Sequence, residues 1–489
     1  MMDKLTRRGF LKSAALLGAG AVAAGRTSAW SQPVGSNDAV RLAVIGLGRK
    51  GTNHHEHVRQ LPGVRLVALC DVDPVVLARE AAIADAGPGS VFATTDPRRV
   101  IERDDVDAVV IATPDHWHAL LTIWACQAGK DVYIEKPLSQ TVWEGRQMVE
   151  AARVHGRVVQ HGTQARSDQS NHEALEYIRA GNLGEIKWIH ALFYKERRDI
   201  GRRLPWYPDW LDYDLFCGPA PSEPLVRRDL HYDWHWFWNT GNGDATNIGV
   251  HVFDLARLMG GHDKAPRRLV SLGGRFVIDD SAETPNSILS VFDYGNIPVI
   301  HEIRGLPKGP GMGAMDHQAG LRSGVVVHCE NGYFAGRKGG WVFDNQGKRI
   351  KGFPGDGGQN HLANFVAAVR SRRTDQLAAS IETGHASSAP VILSTISYRI
   401  GRPASPDEIR SALGGIDPAL EVFSSFEKHL ETHGVDLESE RLTLGRWLQT
   451  DPALDGISEV SGENEYDLER ARYLFRGIHR PEFALRDSV

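Results

Sequence analysis

The pattern of hydrophobic and polar positions divides the chain near residue 165. Before that point, short runs rich in valine, isoleucine and leucine alternate with longer stretches that have helical spacing. Runs of consecutive apolar residues are typical of parallel strands, which are buried on both faces. The runs cover residues 41–45, 64–70, 105–113, 131–135 and 157–161. Residues 38–165 are therefore predicted to form an α/β domain with a doubly wound parallel sheet.

After residue 166 the strand-like runs lengthen and the helices become fewer. These runs cover residues 185–193, 268–277, 287–294, 298–303 and 324–329, and helical spacing occurs at 173–180 and 361–370. Residues 166–400 are therefore predicted to form an α+β domain with an open, largely antiparallel sheet. Residues 401–489 are charged and amphipathic at 419–433 and 465–476, which predicts a helical extension used for packing or assembly.

The first apolar run breaks into the motif Gly-x-Gly-x-x-Gly at Gly46, Gly48 and Gly51, with Leu47 between the first two glycines. Gly46 permits a tight turn, Gly48 lets a pyrophosphate approach the backbone, and Gly51 lets the following helix pack near the strand. The second run ends at Asp71, 20 residues after Gly51, where an acid that binds a ribose is expected. These features predict a Rossmann domain that binds NAD, with NADP as the alternative.

Polar residues also follow the run that covers residues 105–113. Thr113 and Pro114 end this run, and His116 and His118 come directly after it. Ligands of open α/β sheets bind at the carboxyl ends of the strands. We therefore expect these four residues to line the nicotinamide site, although the two histidines fit a purely structural position equally well.

Lys136 lies at the end of another strand, between Glu135 and Pro137. The rigid φ angle of the proline holds the lysine so that its ammonium points into the nucleotide crevice. There it can donate a hydrogen bond to a hydroxyl that is being oxidised. The alternative is a surface lysine whose aliphatic stem covers the edge of the sheet.

Residues 231–254 of the second domain are rich in tryptophan and glycine and lead into a helix. His235, Trp236 and Asp244 are predicted to contact the substrate. The tryptophans at positions 234, 236 and 238 suit stacking on a sugar, but aromatics at a period of two describe one face of a strand equally well. Asp244 fits either an acid of the site or the cap of a helix.

The glycine turn, Asp71, the segment 112–118 and Glu135-Lys136-Pro137 resemble the glucose-fructose oxidoreductase and inositol dehydrogenase family, Gfo/Idh/MocA. The resemblance covers residues 38–400. It implies a two-domain oxidoreductase that binds NAD or NADP in the first half and a sugar in the second.

The family supplies an acid and a histidine to the reacting sugar from a segment of the form Asp-x-Gly-x-His. His251 matches the histidine, whereas Asn247 occupies the position of the acid. An amide can orient a hydroxyl but cannot accept a proton as a carboxylate does, so proton removal is assigned to His251. Its ordinary pKa of ~6.5 suits a general base, and a structural histidine is the alternative.

Segment 234–251 also resembles a branch of the superfamily that includes glycosidases working through NAD. Those enzymes oxidise a sugar hydroxyl transiently, eliminate the aglycone and return the hydride. The predicted catalytic residues are Lys136, His251 and Asn247. The predicted cofactor-binding residues are Gly46, Leu47, Gly48, Gly51, Asp71, Thr113, Pro114, His116, His118, Glu135 and Lys136.

Composition removes several other classes of function. A net charge of −5 and a pI near 6.5 give no basic excess, so we expect no nucleic-acid partner. The four cysteines are far apart and form no CxxC pair, which argues against a disulfide framework and a zinc site. The histidines at 54, 55, 57, 231 and 235 have no HExxH frame, so we predict no metal and assign them to polar surface or sugar contacts.

Residues 1–30 contain Arg7-Arg8, then a short apolar run over 14–24 and small residues. This order predicts a twin-arginine signal peptide, export through the twin-arginine machinery and a periplasmic protein. The apolar run is about half of the ~20 residues that a spanning helix needs, so we expect no permanent membrane span. Because the periplasm offers little free nucleotide, the cofactor is expected to be tightly bound.

These patterns favour an enzyme that transfers a hydride between a sugar, polyol or glycoside hydroxyl carbon and a nicotinamide. The partner is therefore a small carbohydrate, and we expect a homo-oligomer. Two alternatives remain: an NAD-dependent glycoside hydrolase, and a sugar-binding protein without activity, for which Asn247 is the main support.

Overall fold

The computed structural model describes residues 39–85, 90–451, 453–454, 456–462 and 465–485. The predicted signal peptide at residues 1–30 lies outside them. Among the described residues, none of the helices is both long and apolar enough to span a membrane.

The first sheet has six parallel strands in the order β3-β2-β1-β4-β5-β6. The sequence therefore predicted this half correctly as a doubly wound parallel sheet. The strands are β1 Val40–Ile45, β2 Val64–Cys70, β3 Phe92–Thr94, β4 Ala108–Ile111, β5 Asp131–Ile134 and β6 Val159–His161. The helices between them are α1 Arg49–Gln60, α2 Pro74–Asp85, α3 Arg98–Ile101, α4 Asp115–Gln127 and α5 Val142–Val154.

The second sheet has twelve strands and is almost wholly antiparallel. Its main path is β14-β13-β12-β11-β7-β10-β9-β8-β16-β15, and only the central pair β7 and β10 is parallel. This confirms the predicted open, largely antiparallel sheet. The strands are β7 Ile186–Tyr194, β8 Arg268–Gly274, β9 Ser287–Asp293, β10 Val299–Arg304, β11 Ser323–Cys329, β12 Gly332–Arg337, β13 Gly339–Asp344, β14 Arg349–Pro354, β15 Arg402–Ala404, β16 Leu442–Leu444, β17 Leu448–Thr450 and β18 Ile457–Val460.

Helices cover both faces of the second sheet. The helices after β6 are α6 Gln169–Arg179, α7 Tyr213–Cys217, α8 Gly243–Asn247, α9 Gly249–Gly260, α10 His361–Ser371, α11 Ile381–Arg399, α12 Pro406–Leu413, α13 Asp417–Thr432 and α14 Glu465–Arg476. Apolar side chains of α6, α9 and α11 form the core on one face, and α12 and α13 form it on the other. Both faces therefore exclude water from the apolar surface of the sheet.

Two segments pack differently from the prediction. The helix α10 places Phe365 and Val366 against Leu42 and Val44 of the first sheet, although the sequence assigned it to the second domain. The segment beyond residue 400 is not simply helical, because β16 and β17 both pair with β8. A propensity pattern does not reveal which sheet an element joins, since tertiary contacts decide that.

Candidate active site

A cleft of about 390 Å³ lies between the two sheets, at the carboxyl ends of β1, β2, β4 and β5. This is the edge at which open α/β sheets bind ligands. Ten of the predicted site residues line the cleft: Gly46, Gly48, Asp71, Thr113, Pro114, Glu135, Lys136, His235, Asn247 and His251.

The glycine turn is shaped to admit a phosphate. Gly46 has a φ of 84°, and a Cβ on Gly51 would lie 1.8 Å from the Gly46 carbonyl oxygen, so both positions require glycine. A Cβ on Gly48 would meet no atom within 4 Å, which leaves open space in front of the turn. The helix α1 begins there without a side-chain cap or an acidic residue in its first turn. Its N–H groups and dipole are therefore available to an anion such as a pyrophosphate.

Asp71 follows β2 and holds the glycine turn in place. Its Oδ2 accepts a hydrogen bond from the Leu47 N–H at 2.6 Å, and its Oδ1 accepts one from the Asp73 N–H at 2.9 Å. Burial raises the pKa of Asp71, and the two backbone N–H groups oppose that shift. Each carboxylate oxygen keeps a further lone pair for a ribose hydroxyl at the cleft surface.

Glu135 is a buried carboxylate that contacts three polar side chains. His54 Nε2 lies 2.7 Å from its Oε1, Gln164 Nε2 donates at 3.2 Å, and Lys50 Nζ lies 3.6 Å away. Burial alone would raise the pKa of Glu135, but Lys50 and His54 lower it well below its ordinary value. Glu135 therefore stays ionised beside Lys136 and fixes the negative side of the site.

Lys136 joins the two halves of the cleft. Its Nζ donates hydrogen bonds to the Asn247 carbonyl oxygen at 2.5 Å and to Asn247 Oδ1 at 3.1 Å. Burial lowers the pKa of Lys136, and Glu135 and Asp115 oppose this effect. Lys136 is thus held across the domain interface with its amine at the wall of the cleft, rather than on the sheet surface.

Asn247 is fixed in one orientation by its neighbours on both sides. Its Oδ1 accepts from Lys136, and its Nδ2 donates to Asp244 Oδ1 at 3.2 Å. Asp244 is itself paired with the Arg197 guanidinium through two contacts of 2.6 Å. The amide suits this position because an aspartate would set two carboxylates against each other.

His251 and His235 line the cleft close to Lys136. Burial, followed by the charges of Lys136 and Arg337, lowers the pKa of His251 well below its ordinary value. Burial also lowers the pKa of His235 to about 3. Both imidazoles are therefore neutral at physiological pH and can accept a proton or a hydrogen bond.

Six predicted site residues do not line the cleft. Leu47 packs in the hydrophobic core of the first domain, and Gly51 lies behind the glycine turn. Asp244 is paired with Arg197. Trp236 is buried beneath that guanidinium, whose carbon lies 5.1 Å from the ring centre. His116 and His118 complete the six.

His116 and His118, which the sequence predicted to line the nicotinamide site, do not line this cleft. His116 Nε2 lies 3.0 Å from the Phe216 carbonyl oxygen, and the two nitrogens of His118 face the Pro137 and Thr113 carbonyl oxygens. The first turn of α4 instead presents Asp115 and Trp117 to the cleft. The sequence showed that the two histidines follow the end of a strand, but it did not show which side of the helix α4 faces the cleft.

Several cleft residues were not predicted. Asp115 is 2% exposed, and burial raises its pKa well above the ordinary value. The other polar or aromatic lining residues that were not predicted are Arg49, Lys50, Thr95, Trp117, Gln164, Lys195, Arg197, Phe216 and Tyr232. His231 and Trp234, which the sequence allowed as sugar contacts, line the cleft as well. The basic run at 195–198 directly follows a strand, and this pattern could have indicated Lys195 and Arg197 as site residues.

The segment 206–236 of the second domain closes one end of the cleft. His231 Nε2 lies 2.9 Å from Asp73 Oδ2, and the Trp210 indole N–H donates to the same oxygen at 3.4 Å. The Arg49 guanidinium lies over the Tyr232 ring at 4.6 Å. This end of the cleft is next to Asp71, where the predicted ribose would bind.

The tryptophan-rich segment forms neither the strand nor the continuous stacking surface that the sequence allowed. Asp233–Trp236 is a short 3-10 helix. Trp234 lines the cleft and stacks on His235 at 3.6 Å, while Trp238 lies under the Arg399 guanidinium. Two of the histidines that the sequence assigned to polar surface or sugar contacts are instead buried. His54 lies against Glu135, and His55 lies against Glu80.

Residues 40–163 match the family model GFO_IDH_MocA, described as the oxidoreductase family with an NAD-binding Rossmann fold. A glycosyl hydrolase family 109 protein from Shewanella pealeana is 30% identical over 266 residues, which cover 47% of this chain. The chain spans a little more than half of that relative, 58% of its length.

Solved structures share the two-domain fold. Levoglucosan dehydrogenase in complex with NADH has a TM-score of 0.54 and 17% identity, over 73% of this chain and 96% of that one. The WlbA dehydrogenase from Bordetella pertussis, in complex with NADH and UDP-GlcNAcA, has a TM-score of 0.54 and 18% identity, over 73% and 95%. The match to the Gfo/Idh/MocA oxidoreductase family model therefore lies in the NAD-binding domain, and these solved structures share the fold of both domains.

Proposed function

We propose that this protein transfers a hydride between a hydroxyl-bearing carbon of a sugar, polyol or glycoside and a nicotinamide cofactor. The observation that carries the proposal is the meeting of Lys136 and His251 in one cleft with the glycine turn. The open space at Gly48, the uncapped start of α1 and the exposed lone pairs of Asp71 fit a dinucleotide. The two dehydrogenases of the same fold named above support this class of chemistry.

The bound nicotinamide would supply the hydride acceptor. Lys136 would donate a hydrogen bond to the reacting hydroxyl and stabilise the negative charge that develops on its oxygen. His251 would accept the proton as a neutral imidazole. Its depressed pKa keeps the ring unprotonated beforehand but also lowers its basicity, so the stabilisation of the developing negative charge by Lys136 would assist the transfer. Asn247 would keep the Lys136 amine in position, and Glu135 would keep its charge balanced.

The direct test is mass spectrometry of the small molecules released when the purified protein is denatured, followed by turnover with deuterated sugars. NAD or NADP in the released fraction, and deuterium appearing on the nicotinamide, are the expected results. A cofactor-loaded protein that exchanges no deuterium with any sugar or glycoside would contradict the proposal and favour a binding protein.

A second candidate is a glycoside hydrolase that uses the cofactor within one catalytic cycle. The relative named as a glycosyl hydrolase family 109 protein favours it, as does the closed end of the cleft near Asp71. Such an enzyme would release a free aglycone without net formation of NADH. Net NADH with an oxidised sugar product would instead identify a dehydrogenase.

We further propose NAD as a tightly held cofactor, with NADP as the alternative. A carboxylate at Asp71 binds ribose hydroxyls and repels a 2′-phosphate. The change Asp71→Ala should narrow the preference, measured as the ratio of dissociation constants for NAD and NADP. Arg49 and Lys50 also line the cleft, and their positive charges would offset part of the repulsion between Asp71 and a 2′-phosphate. Tighter binding of NADP than of NAD by the unchanged protein would therefore refute the choice of NAD.

Export and assembly are also proposals. Arg7-Arg8 and the short apolar run after it support twin-arginine export to the periplasm. Replacing both arginines with lysine should retain the folded protein in the cytoplasm, as cell fractionation would measure. We also propose a homo-oligomer, which sedimentation would test.

A further inference from the structure

A second cavity, of about 100 Å³, shares no lining residue with the cleft. His116 lines this second cavity, whereas the residues on either side of it, Asp115 and Trp117, line the cleft. The first turn of α4 therefore separates the two spaces. The reaction proposed for the cleft makes no use of the second cavity, so its lining residues need an explanation of their own.

Three parts of the chain form the walls of the second cavity. The first domain contributes the start of α5, the second domain contributes two loops and the end of α11, and the third wall is residues 473–479. Gln140 Nε2 donates to the carbonyl oxygens of Trp238 at 2.9 Å and Gly241 at 3.2 Å. Asn242 Nδ2 donates back to the Gln140 carbonyl oxygen at 2.9 Å. These bonds join the walls, so the second cavity is a fixed part of the domain interface.

Arg399, the last residue of α11, gives the second cavity a cation without a counterion. Among the described residues, no carboxylate lies within 4 Å of its guanidinium, and no side chain or backbone carbonyl accepts a hydrogen bond from it. Its guanidinium carbon lies 4.7 Å from the centre of the Trp238 ring. Burial and the charge of Arg470 lower the pKa of Arg399 to about 10, and Glu283 opposes this effect. Arg399 is therefore charged at neutral pH, and its N–H donors are free to bind an anion.

Gln140 gives the second cavity a buried acceptor without a donor. Its Oε1 is out of contact with solvent and has no hydrogen-bond partner in the described part of the chain. Rotation of the amide would not help, because it would set the oxygen against the two carbonyl oxygens that now hold Nε2. An unpaired buried acceptor costs about 1–3 kcal/mol, so a molecule in the second cavity that donates a hydrogen bond to it is favoured.

Glu144 is the one acid among the residues that line the second cavity, and its charge is already matched. Its Oε1 lies 2.6 Å from His479 Nε2, and its Oε2 accepts from the backbone N–H groups of Gln140 and Thr141 at 2.9 Å each. Most of the remaining wall is apolar and consists of Pro219, Pro221, Ile392, Ile396, Leu474 and Ile478. The second cavity thus combines a free cation, a fixed acceptor and an apolar surface.

We propose that the second cavity binds a small carboxylic acid whose chain also bears a hydrogen-bond donor, a hydroxyl or an ammonium group. Arg399 would bind the carboxylate with its planar fork of donors. Gln140 Oε1 would accept from the donor, and the carbon chain would pack on Ile392 and Ile396. A water needs ~10–15 Å³ of such a space, so about 100 Å³ holds several waters, or an acid of about six non-hydrogen atoms. This site is independent of hydride transfer, because none of these residues lines the cleft.

Four probes of similar size test the proposal: lactate, free alanine, propionate and lactamide. Lactate and alanine carry both a carboxylate and a donor, propionate lacks the donor, and lactamide lacks the charge. Ligand-detected NMR on the purified full-length protein measures each dissociation constant into the millimolar range. The measurement needs no turnover, so its outcome is separate from that of the hydride-transfer test.

Lactate or alanine should bind at least about tenfold more tightly than lactamide, as one well-placed charge-assisted contact gives. The same acid should bind several-fold more tightly than propionate, because only it pairs the buried acceptor. Comparison of lactate with alanine identifies the donor. Arg399→Gln should remove the advantage over lactamide, and since this side chain is half-buried at the end of a helix the variant keeps the fold. Ile396→Phe should block all four probes by filling the second cavity, with a thermal melt as the check on folding.

Arg349→Gln is the matched control. The Arg349 guanidinium also lies over a tryptophan, 4.8 Å from the Trp341 ring centre, but it is on the exposed strand β14 outside the second cavity. This variant should bind every probe as the unchanged protein does, and Lys136→Met reports any binding in the cleft. The proposal is overturned if no probe binds, if lactamide or propionate binds as tightly as lactate and alanine, or if Arg399→Gln and Arg349→Gln behave alike. Loss of acid binding in Lys136→Met but not in Arg399→Gln would overturn it as well.

Discussion

The two walls of the cleft differ in how far they depend on backbone geometry and on side chains. The wall of the first domain is organised by backbone features, namely a glycine turn, the start of a helix and the ends of four parallel strands, to which the side chains of Asp71, Glu135 and Lys136 are added. The wall of the second domain is made of side chains from separate segments, among them Arg197, His235 and His251. Lys136 joins the two walls at the centre of the cleft through its two hydrogen bonds to Asn247, and Asp73 and Arg49 contact His231 and Tyr232 at one end of it.

This difference separates two tasks. A backbone wall recognises phosphates and ribose, which are the same in every dinucleotide, and tolerates many side-chain changes around it. A side-chain wall can be altered residue by residue, so it is suited to selecting among carbohydrates. Substitutions in the first wall should therefore affect cofactor binding or folding, and substitutions in the second should affect turnover.

The largest effect is expected where the walls meet. Lys136→Met and His251→Ala should each lower kcat by about 10²- to 10⁴-fold, because each removes a positioned acid or base group. Cofactor affinity should change far less, since the glycine turn is untouched. Because the two residues act on one hydroxyl, the double variant should be about as slow as the worse single variant. Multiplied losses, or full activity of both variants, would show that they do not act together.

A matched pair of glycine substitutions tests the backbone wall. Gly51→Ala forces a Cβ to 1.8 Å from the Gly46 carbonyl oxygen and should destabilise the first domain by about 3 kcal/mol or more. Gly48→Ala meets no atom, so its melting temperature should stay unchanged while NAD affinity falls by about tenfold or more. Calorimetric unfolding and NAD titration measure the two effects. Unchanged NAD binding by Gly48→Ala would place the phosphates elsewhere.

The third test separates charge from shape in the side-chain wall. Asn247→Asp places a carboxylate where an amide now donates to Asp244 Oδ1 at 3.2 Å. Loss of this hydrogen bond and repulsion between the two acids should reduce kcat by about ten- to hundredfold, with cofactor retained. Asn247→Ser is the control, because it also removes the amide but adds no negative charge. Increased activity in Asn247→Asp would mean that the family acid is the better residue here.

The smallest effect concerns the contact between His479 and Glu144, which are 2.6 Å apart and do not line the cleft. Burial alone would lower the pKa of His479, but Glu144 raises it. The stabilisation is therefore complete below the unfolded pKa of ~6.5 and is lost as pH rises through the higher folded value. His479→Gln should reduce the free energy of unfolding by less than about 1 kcal/mol at acidic pH, seen as a slightly lower melting temperature, and should leave it unchanged at alkaline pH. His57→Gln, an exposed change, should show no such difference.

The sequence predicted the backbone wall better than the side-chain wall, for a physical reason. The glycine turn and Asp71 are recognisable because strand, turn and helix follow one another along the chain. Lys136 and Asn247 are 111 residues apart, and no local pattern shows that they meet. The inward turn of His116 and His118 likewise depends on helix packing that the local sequence does not reveal.

The return of the distal chain to the first sheet has a consequence for biosynthesis. The helix α10 packs on one face of that sheet, and Phe483 packs on the other, with its ring 5.6 Å from Trp117 of the cleft. A ribosome-bound chain that has emerged only as far as residue 165 therefore lacks part of the core of its own first domain. Arrested chains of increasing length should gain protease resistance in the first domain when α10 emerges and again when Phe483 emerges. A truncation that removes Phe483 therefore takes away a neighbour of Trp117, and so acts on the cleft from more than 350 residues away along the sequence.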